Sequence, residues 1–148
     1  MRVGVTVLLI LTTGILLFLL DWWSKRVARL HLRNRSVSVG PLLRLRFVAS
    51  VRDTYGRPGF LVAFVLLWFA ALISAIALRS SGAWFQSDLA MIGIGLAIGG
   101  AAGNLVDIIC CRYVVDFIDL HWWPVFNLAD VAIVAGLLAA LASQRVSS

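Results

Sequence analysis

The sequence predicts an all-α membrane protein, four transmembrane helices with a short hairpin or small sheet at the membrane surface between the first and the second. Three observations carry that class. The 148-residue chain is 61% hydrophobic and only 14% charged, against roughly 25% charged for an ordinary soluble domain, and its mean hydropathy is +0.97. Its apolar residues fall into four blocks, each near the roughly 20 residues that cross a hydrocarbon core. Between the first two blocks the chain turns polar and basic, and part of it alternates with period two.

The first block, residues 3–20, reads VGVTVLLILTTGILLFLL. Arg2 in front of it raises a secretory signal peptide as an alternative. The run is longer than an h-region and no small-residue cleavage site follows, so an uncleaved transmembrane helix is expected. DWWSKR comes next, with two Trp suited to an interfacial belt, and residues 21–59 read as a surface segment. Within it, VGPLLRLRFVASV sets Leu43, Leu45 and Phe47 opposite Arg44 and Arg46, which is strand alternation. The second block, 60–78, is opened by Pro58 and Gly59. The third span is 89–109 and the fourth 125–142. Gly95, Gly99 and Gly103 step by four along the third, a stripe that lets another helix approach closely. No internal repeat is present, and 1–148 reads as a single domain.

All seven acids are Asp, and thirteen Lys and Arg give a net charge of +6. In so apolar a chain, anionic lipid headgroups are a more economical partner than nucleic acid. Cys110 and Cys111 are adjacent, which offers neither a disulfide framework nor metal-ligand spacing. They are expected as small apolar residues at a helix end. His31 and His121 are single, and His121 beside Trp122 and Trp123 reads as interfacial. No metal or cofactor is expected. Ser24 and Lys25 are neighbours on a helix and point apart, which argues against a Ser–Lys dyad.

Four crossings put both termini on one side and gather the polar residues on the other. Asp21, Ser24 and Lys25 leave the first helix. Asn104 and Asp107 end the third, Asn127 and Asp130 begin the fourth, and Asp116 lies between. Asn104-x-x-Asp107 and Asn127-x-x-Asp130 repeat one pattern, and a spacing of three puts each pair on one helix face. Helix capping would account for one such pair. Two pairs plus Asp116 on one membrane face point to a site, because ionisable groups at membrane depth are costly. Two carboxylates held together share a proton. One can then deprotonate a water while the other protonates or polarises a carbonyl. Asp119, three residues beyond Asp116, is expected to face solvent.

Four motifs, DWWSK (21–25), GGAAGNLVD (99–107), VVDF (114–117) and FNLAD (126–130), resemble in order and spacing those of the lipoprotein signal peptidases, signal peptidase II. The resemblance covers nearly the whole chain. It implies a four-helix membrane aspartyl peptidase with a small extracytoplasmic β-sheet, a cradle, between the first two helices. Asp116 and Asp130 would be the catalytic pair. Asn104, Asp107, Asn127, Asp21 and Lys25 would support them, and Asp53 stands where the family has Asn. The implied substrate is a prolipoprotein carrying diacylglycerol on its cysteine. Cleavage would fall just before that cysteine, at the outer face of the bacterial cytoplasmic membrane, by a monomer in contact with phospholipid.

Three departures accompany the resemblance. The segment VRDTYGRPG lacks the family's Ala-Ala-Phe run after Asp53, Ile108 stands for an Arg, and Arg112 for a small residue. They raise a paralogue with shifted specificity or an inhibitor-resistance role as an alternative. From another class, a proton- or cation-coupled carrier would also hold intramembrane acids, but here one face carries them all. A helix-packing scaffold is the plainest alternative. Residues 21–59 hold nine of the thirteen basic residues. The positive-inside rule would put them in the cytoplasm, whereas the resemblance puts them outside, docked on headgroups.

Overall fold

The computed structural model describes residues 2–50, 73 and 87–143. Asp53 and, apart from residue 73, the expected second span (60–78) lie outside the described residues. Helix α1 is Arg2–His31. Thr12 and Thr13 donate to the carbonyls of Leu8 and Leu9, each at 2.7 Å, so their hydroxyls ask nothing of lipid. Leu8, Leu11, Ile15, Leu16, Leu19 and Leu20 are all more than half exposed, a surface fitted to acyl chains rather than water.

The helix does not stop at Leu20. It continues through Asp21, Lys25 and Arg29 to His31, so DWWSK is helical and the surface segment begins later than expected. Hydropathy ends where charges begin, but a helix does not. These three residues recur every four positions on one face, where Lys25 pairs with Asp21 and both Lys25 and Arg29 find Asp107 on a neighbouring helix.

Helix α2 is Asp88–Cys111, with Ser87 as N-cap accepting from the Ala90 amide at 3.1 Å. Helix α3 is Leu128–Ala142. Two of these helices are long and apolar enough to cross a membrane, over Gly4–His31 and Asp88–Cys111. The 15 residues of α3 span about 22 Å, short of a hydrocarbon core of about 30 Å.

The glycine stripe of α2 is where α1 docks. A Cβ on Gly99 would run into the Gly14 backbone, and one on Gly103 would lie 2.5 Å from Asp21 Oδ2. On the other face of α2, a Cβ on Gly100 would lie 2.6 Å from the Ala129 carbonyl oxygen, and Gly93 meets Gly136. Helix α2 is therefore sandwiched between α1 and α3. Gly99→Leu is expected to destabilise the protein by about 1–3 kcal/mol through overpacking, read as a lower Tm in detergent. Gly4→Leu, where a Cβ meets nothing within 4 Å, is the control. Equal melting of the two variants would refute the close approach.

The hairpin forms as the alternation predicts: β1 (Ser36–Val39) pairs antiparallel with β2 (Leu43–Ser50) around Gly40, φ 71°. The sheet has a third strand, however. Residues Val114–Asp119 form β3, antiparallel on the other edge of β2, with Val48 opposite Asp116 and Ser50 opposite Val114. The sheet is thus completed from between α2 and α3, not built wholly after the first helix. VVDFID lacks a clean two-residue alternation, and its partner strand is far away in sequence.

Two departures from the family pattern take on a physical meaning. Arg112 is the C-cap of α2 in the left-handed region, φ 64°, where a side chain costs about 1–2 kcal/mol and a small residue fits best. Ile108 is buried, 2% exposed. An Arg at that position would lie within the protein, not at a rim facing a lipid headgroup.

Candidate active site

The strand-to-helix connection folds back on itself. The amides of Phe117 and Ile118 donate to the Phe126 carbonyl at 3.0 and 2.9 Å, and the Phe126 amide returns a bond to Ile118 at 3.1 Å. This return places Asn127, the N-cap of α3, beside β3. Asn127 Oδ1 accepts from the Asp130 amide at 3.0 Å, and Asp130 Oδ2 accepts from the Asn127 amide at 3.2 Å. The pair is a reciprocal capping box, so the bland explanation for this N-x-x-D is correct as far as it goes. The remaining atoms of both residues are committed elsewhere.

Asn127, fully buried, donates through Nδ2 to Asp116 Oδ1 at 2.8 Å and to Asn104 Oδ1 at 3.1 Å. Asn104 Nδ2 donates to Asp130 Oδ1 at 2.8 Å. The carboxylates of Asp116 on β3 and Asp130 on α3 are thus joined through two side-chain amides. Ser50 on β2 donates to Asp116 Oδ2.

Behind this pair runs a ladder of alternating charge. Lys25 Nζ lies 2.7 Å from Asp21 Oδ2 and 3.0 Å from Asp107 Oδ2, and donates to Asn104 Oδ1 at 2.8 Å. Arg29 Nη2 reaches Asp107 Oδ1 at 2.6 Å. Asp21 Oδ1 accepts from the Ala129 amide at 2.9 Å, tying α1 to the first turn of α3. Asp107 Oδ2 accepts from the Val115 amide at 3.3 Å, fastening β3 one residue before Asp116. Asp21 and Lys25 are essentially inaccessible. Each charge there depends on its partners, since an unpaired buried ion is severely destabilising.

Burial pushes the Asp116 carboxyl above the ordinary 3.8, and the nearby Asp130 charge adds to the rise, against the hydrogen bonds from Ser50 and Asn127. Its neutral form is favoured for a physical reason: it is removed from water on a short strand beside a second acid.

Asp119 corrects the expectation that it faces solvent. It is 5% exposed, accepts from the His121 amide at 2.9 Å, and pairs with Arg46 Nε at 2.5 Å and Arg44 Nη2 at 3.3 Å. The His121 N–H, then Arg46 and Arg44, hold its carboxyl below 3.8. A depressed carboxyl contributes stability above its unfolded value and loses it as pH falls through the folded one. Asp119→Asn should therefore lower Tm near neutral pH, and the gap from the parent should close below pH 3.8. A gap independent of pH would refute the ion pairs as its cause.

Of the residues singled out in the sequence, Asp116, Asp130, Asn104, Asp107, Asn127, Asp21 and Lys25 meet in one connected network. Asp53 lies outside the described residues. Sequence reasoning missed Ser50 and Arg29. Arg29 was within reach, being four residues past Lys25 on the same helix face. Ser50 carried no signal, because its contact depends on the β2–β3 register. Among the described residues, no group of three or more His, Cys, Asp or Glu is arranged to hold a metal ion.

Lipid-facing helices around a pair of aspartates, Asp116 buried and Asp130 half-buried, define the class: a helical membrane protein whose polar centre is carboxylate-based. Comparison with known proteins narrows it. Signal peptidase II matches residues 13–145. The lipoprotein signal peptidase of Moorella thermoacetica is 35% identical over 134 residues, covering 86% of this chain and 87% of its own. That of Dichelobacter nodosus is 33% identical over 138 residues, with the same coverage. A stretch of 50 residues is 60% identical to the lipoprotein signal peptidase of Syntrophomonas wolfei, spanning 34% of each chain. A solved bacterial membrane enzyme, crystallised in meso, shares the fold with a TM-score of 0.74 at 22% identity, covering 95% of this chain and 92% of that one. The chain belongs to the signal peptidase II family, a family of membrane peptidases.

Proposed function

We propose that this chain is an aspartic endopeptidase that removes the signal peptide from diacylglyceryl-modified prolipoproteins, cutting before the lipid-modified cysteine. The observation that carries the reading is the Asp116–Asp130 pair, two carboxylates from different elements joined through Asn127 and Asn104. Asp130 takes a proton from water, and the resulting hydroxide attacks the scissile carbonyl carbon. Asp116, whose neutral form burial favours, gives its proton to the carbonyl oxygen. The tetrahedral intermediate then collapses. The C–N bond breaks, Asp130 returns its proton to the leaving nitrogen, and Asp116 recovers its own. The substrate's lipid explains why the site belongs in a membrane protein, since diacylglycerol confines the scissile bond to the bilayer surface.

The test is cleavage of a diacylglyceryl-modified prolipoprotein by the purified protein in detergent. The same precursor without lipid and a signal peptidase II inhibitor serve as controls. Cleavage of the lipidated form alone, blocked by the inhibitor, is expected. No cleavage of the lipidated form would overturn the reading.

The proposed site is at the outer face of the bacterial cytoplasmic membrane, with phospholipid and the prolipoprotein as partners and a single chain as the working unit. Ser36, exposed on β1, reports this. With Cys110 and Cys111 replaced by Ala, Ser36→Cys should be labelled by a membrane-impermeant thiol reagent on spheroplasts. Labelling only after the membrane is broken would put the sheet in the cytoplasm, as the positive-inside rule expects.

A further inference from the structure

The pairing of β2 with β3 brings one hydroxyl to Asp116. Ser50 stands opposite Val114 in the β2–β3 ladder, so Asp116, two residues further along β3, is its diagonal neighbour on the same face. The Ser50 hydroxyl bonds Asp116 Oδ2, while Oδ1 is held by Asn127. The two oxygens of Asp116 thus have different partners. Oδ1 faces an amide N–H, which can only donate. Oδ2 faces a hydroxyl, which can donate or accept. A proton on Asp116 is therefore best placed on Oδ2, where Ser50 can turn and accept it. When the carboxyl is ionised, the same hydroxyl turns back and donates.

We propose that Ser50 is a positioning residue for the peptidase reaction, a two-way hydrogen-bond partner that fixes which oxygen of Asp116 carries the proton. This rests on Asp116 belonging to the catalytic pair. The register makes the arrangement specific: a slip by one residue would present Ala49 in place of Ser50 and carry Ser50 to the other face. Other groups also act on Asp116. Asp130 and Asn127 reach it from the α3 end, Lys25 from α1, and Asp107 holds the adjacent Val115 amide from α2. Ser50 is the hydroxyl among them, and its removal leaves the others in place.

Two measurements on the full-length protein in detergent test this. The first is the pH profile of kcat/KM on a diacylglyceryl-modified prolipoprotein for the parent, Ser50→Ala and Ser50→Thr. The bond donated to ionised Asp116 is charge-assisted and stronger than the one accepted from its neutral form, so loss of both should move the basic limb of Ser50→Ala upward by about one pH unit, with kcat lowered about tenfold or more and KM little changed. Ser50→Thr keeps the hydroxyl in a strand-compatible side chain and should restore the parent profile. The second readout needs no substrate. All seven acids are Asp, so carboxyl-¹³C-labelled aspartate gives at most seven side-chain signals, and that of Asp116 is assigned by its loss in Asp116→Asn. Its titration should move upward in Ser50→Ala and stay near the parent's in Ser50→Thr. A parent that cleaves, with unchanged profile and titration in Ser50→Ala, would overturn the role of Ser50 alone. A parent that fails to cleave would overturn the peptidase reading, and the role of Ser50 with it.

Discussion

Asp116→Asn and Asp130→Asn are each expected to abolish prolipoprotein cleavage, by a factor on the order of 10³ or more, while the protein stays folded. The size follows from the division of labour: either loss removes one partner of the acid–base pair, and general acid–base steps contribute about 10²–10⁴ each. The retention of fold follows from the hydrogen bonds. Asp130 accepts from the Asn104 side chain and the Asn127 amide, and Asp116 from Asn127 and Ser50. An Asn in either place keeps one acceptor oxygen, and at Asp116 it also removes a charge that burial disfavours. Asp116→Asn should therefore melt at or above the parent temperature while losing turnover. Both variants would be assayed for cleavage and for Tm in the same detergent. Parent-like turnover by either one would dismiss the pair, and inactivity with a collapsed Tm would leave it no more than a structural bridge.

Much of this centre was legible without coordinates, and for one reason. Where apolar blocks stop and start is fixed by hydropathy, so residues at those boundaries must share a membrane face. Asp21, Lys25, Asn104, Asp107, Asn127 and Asp130 all lie at such boundaries, and they do converge. The glycine stripe was legible for a similar reason, since a spacing of four on a helix marks a face whatever it packs against. Residues on strands were harder. Asp119 looked like a solvated acid beyond the motif, yet β2 brings Arg44 and Arg46 over it. Ser50 carries no signal of its own in the sequence, yet it touches Asp116. Both depend on the register of β2 against β3, which includes an irregularity between Leu45 and Val48. A local pattern does not encode such a long-range offset. The length of α1 was misread differently. The hydropathy boundary at Leu20 is not a helix end: Asp21, Lys25 and Arg29 keep helical spacing, and Lys25 and Arg29 pair with Asp107 on α2.

The same ladder yields the largest expected loss of stability. Lys25→Met keeps a straight side chain of similar length but removes the charge that Asp21 and Asp107 share, and should destabilise the protein by about 3–5 kcal/mol, as breaking a buried ion pair does. The two acids should not suffer equally. Asp107 keeps Arg29 at 2.6 Å and the Val115 amide at 3.3 Å. Asp21 keeps the Ala129 amide on Oδ1, but its Oδ2, which faces Lys25 at 2.7 Å, is left against Gly103. Adding Asp21→Asn to Lys25→Met should therefore recover more stability than adding Asp107→Asn, because the neutral amide suits the site that has lost its cation. Tm and denaturant unfolding in detergent for the three single and two double variants give both coupling energies. Any Lys25→Met protein that remains folded should also cleave poorly. Lys25 Nζ holds Asn104 Oδ1, and without it only the longer bond from Asn127 Nδ2 orients the Asn104 amide, whose Nδ2 is then held less firmly on Asp130. Equal rescue by Asp21→Asn and Asp107→Asn, or a Lys25→Met variant as stable as the parent, would show that the ladder is ordinary interfacial solvation, not a buried brace for the proposed catalytic pair.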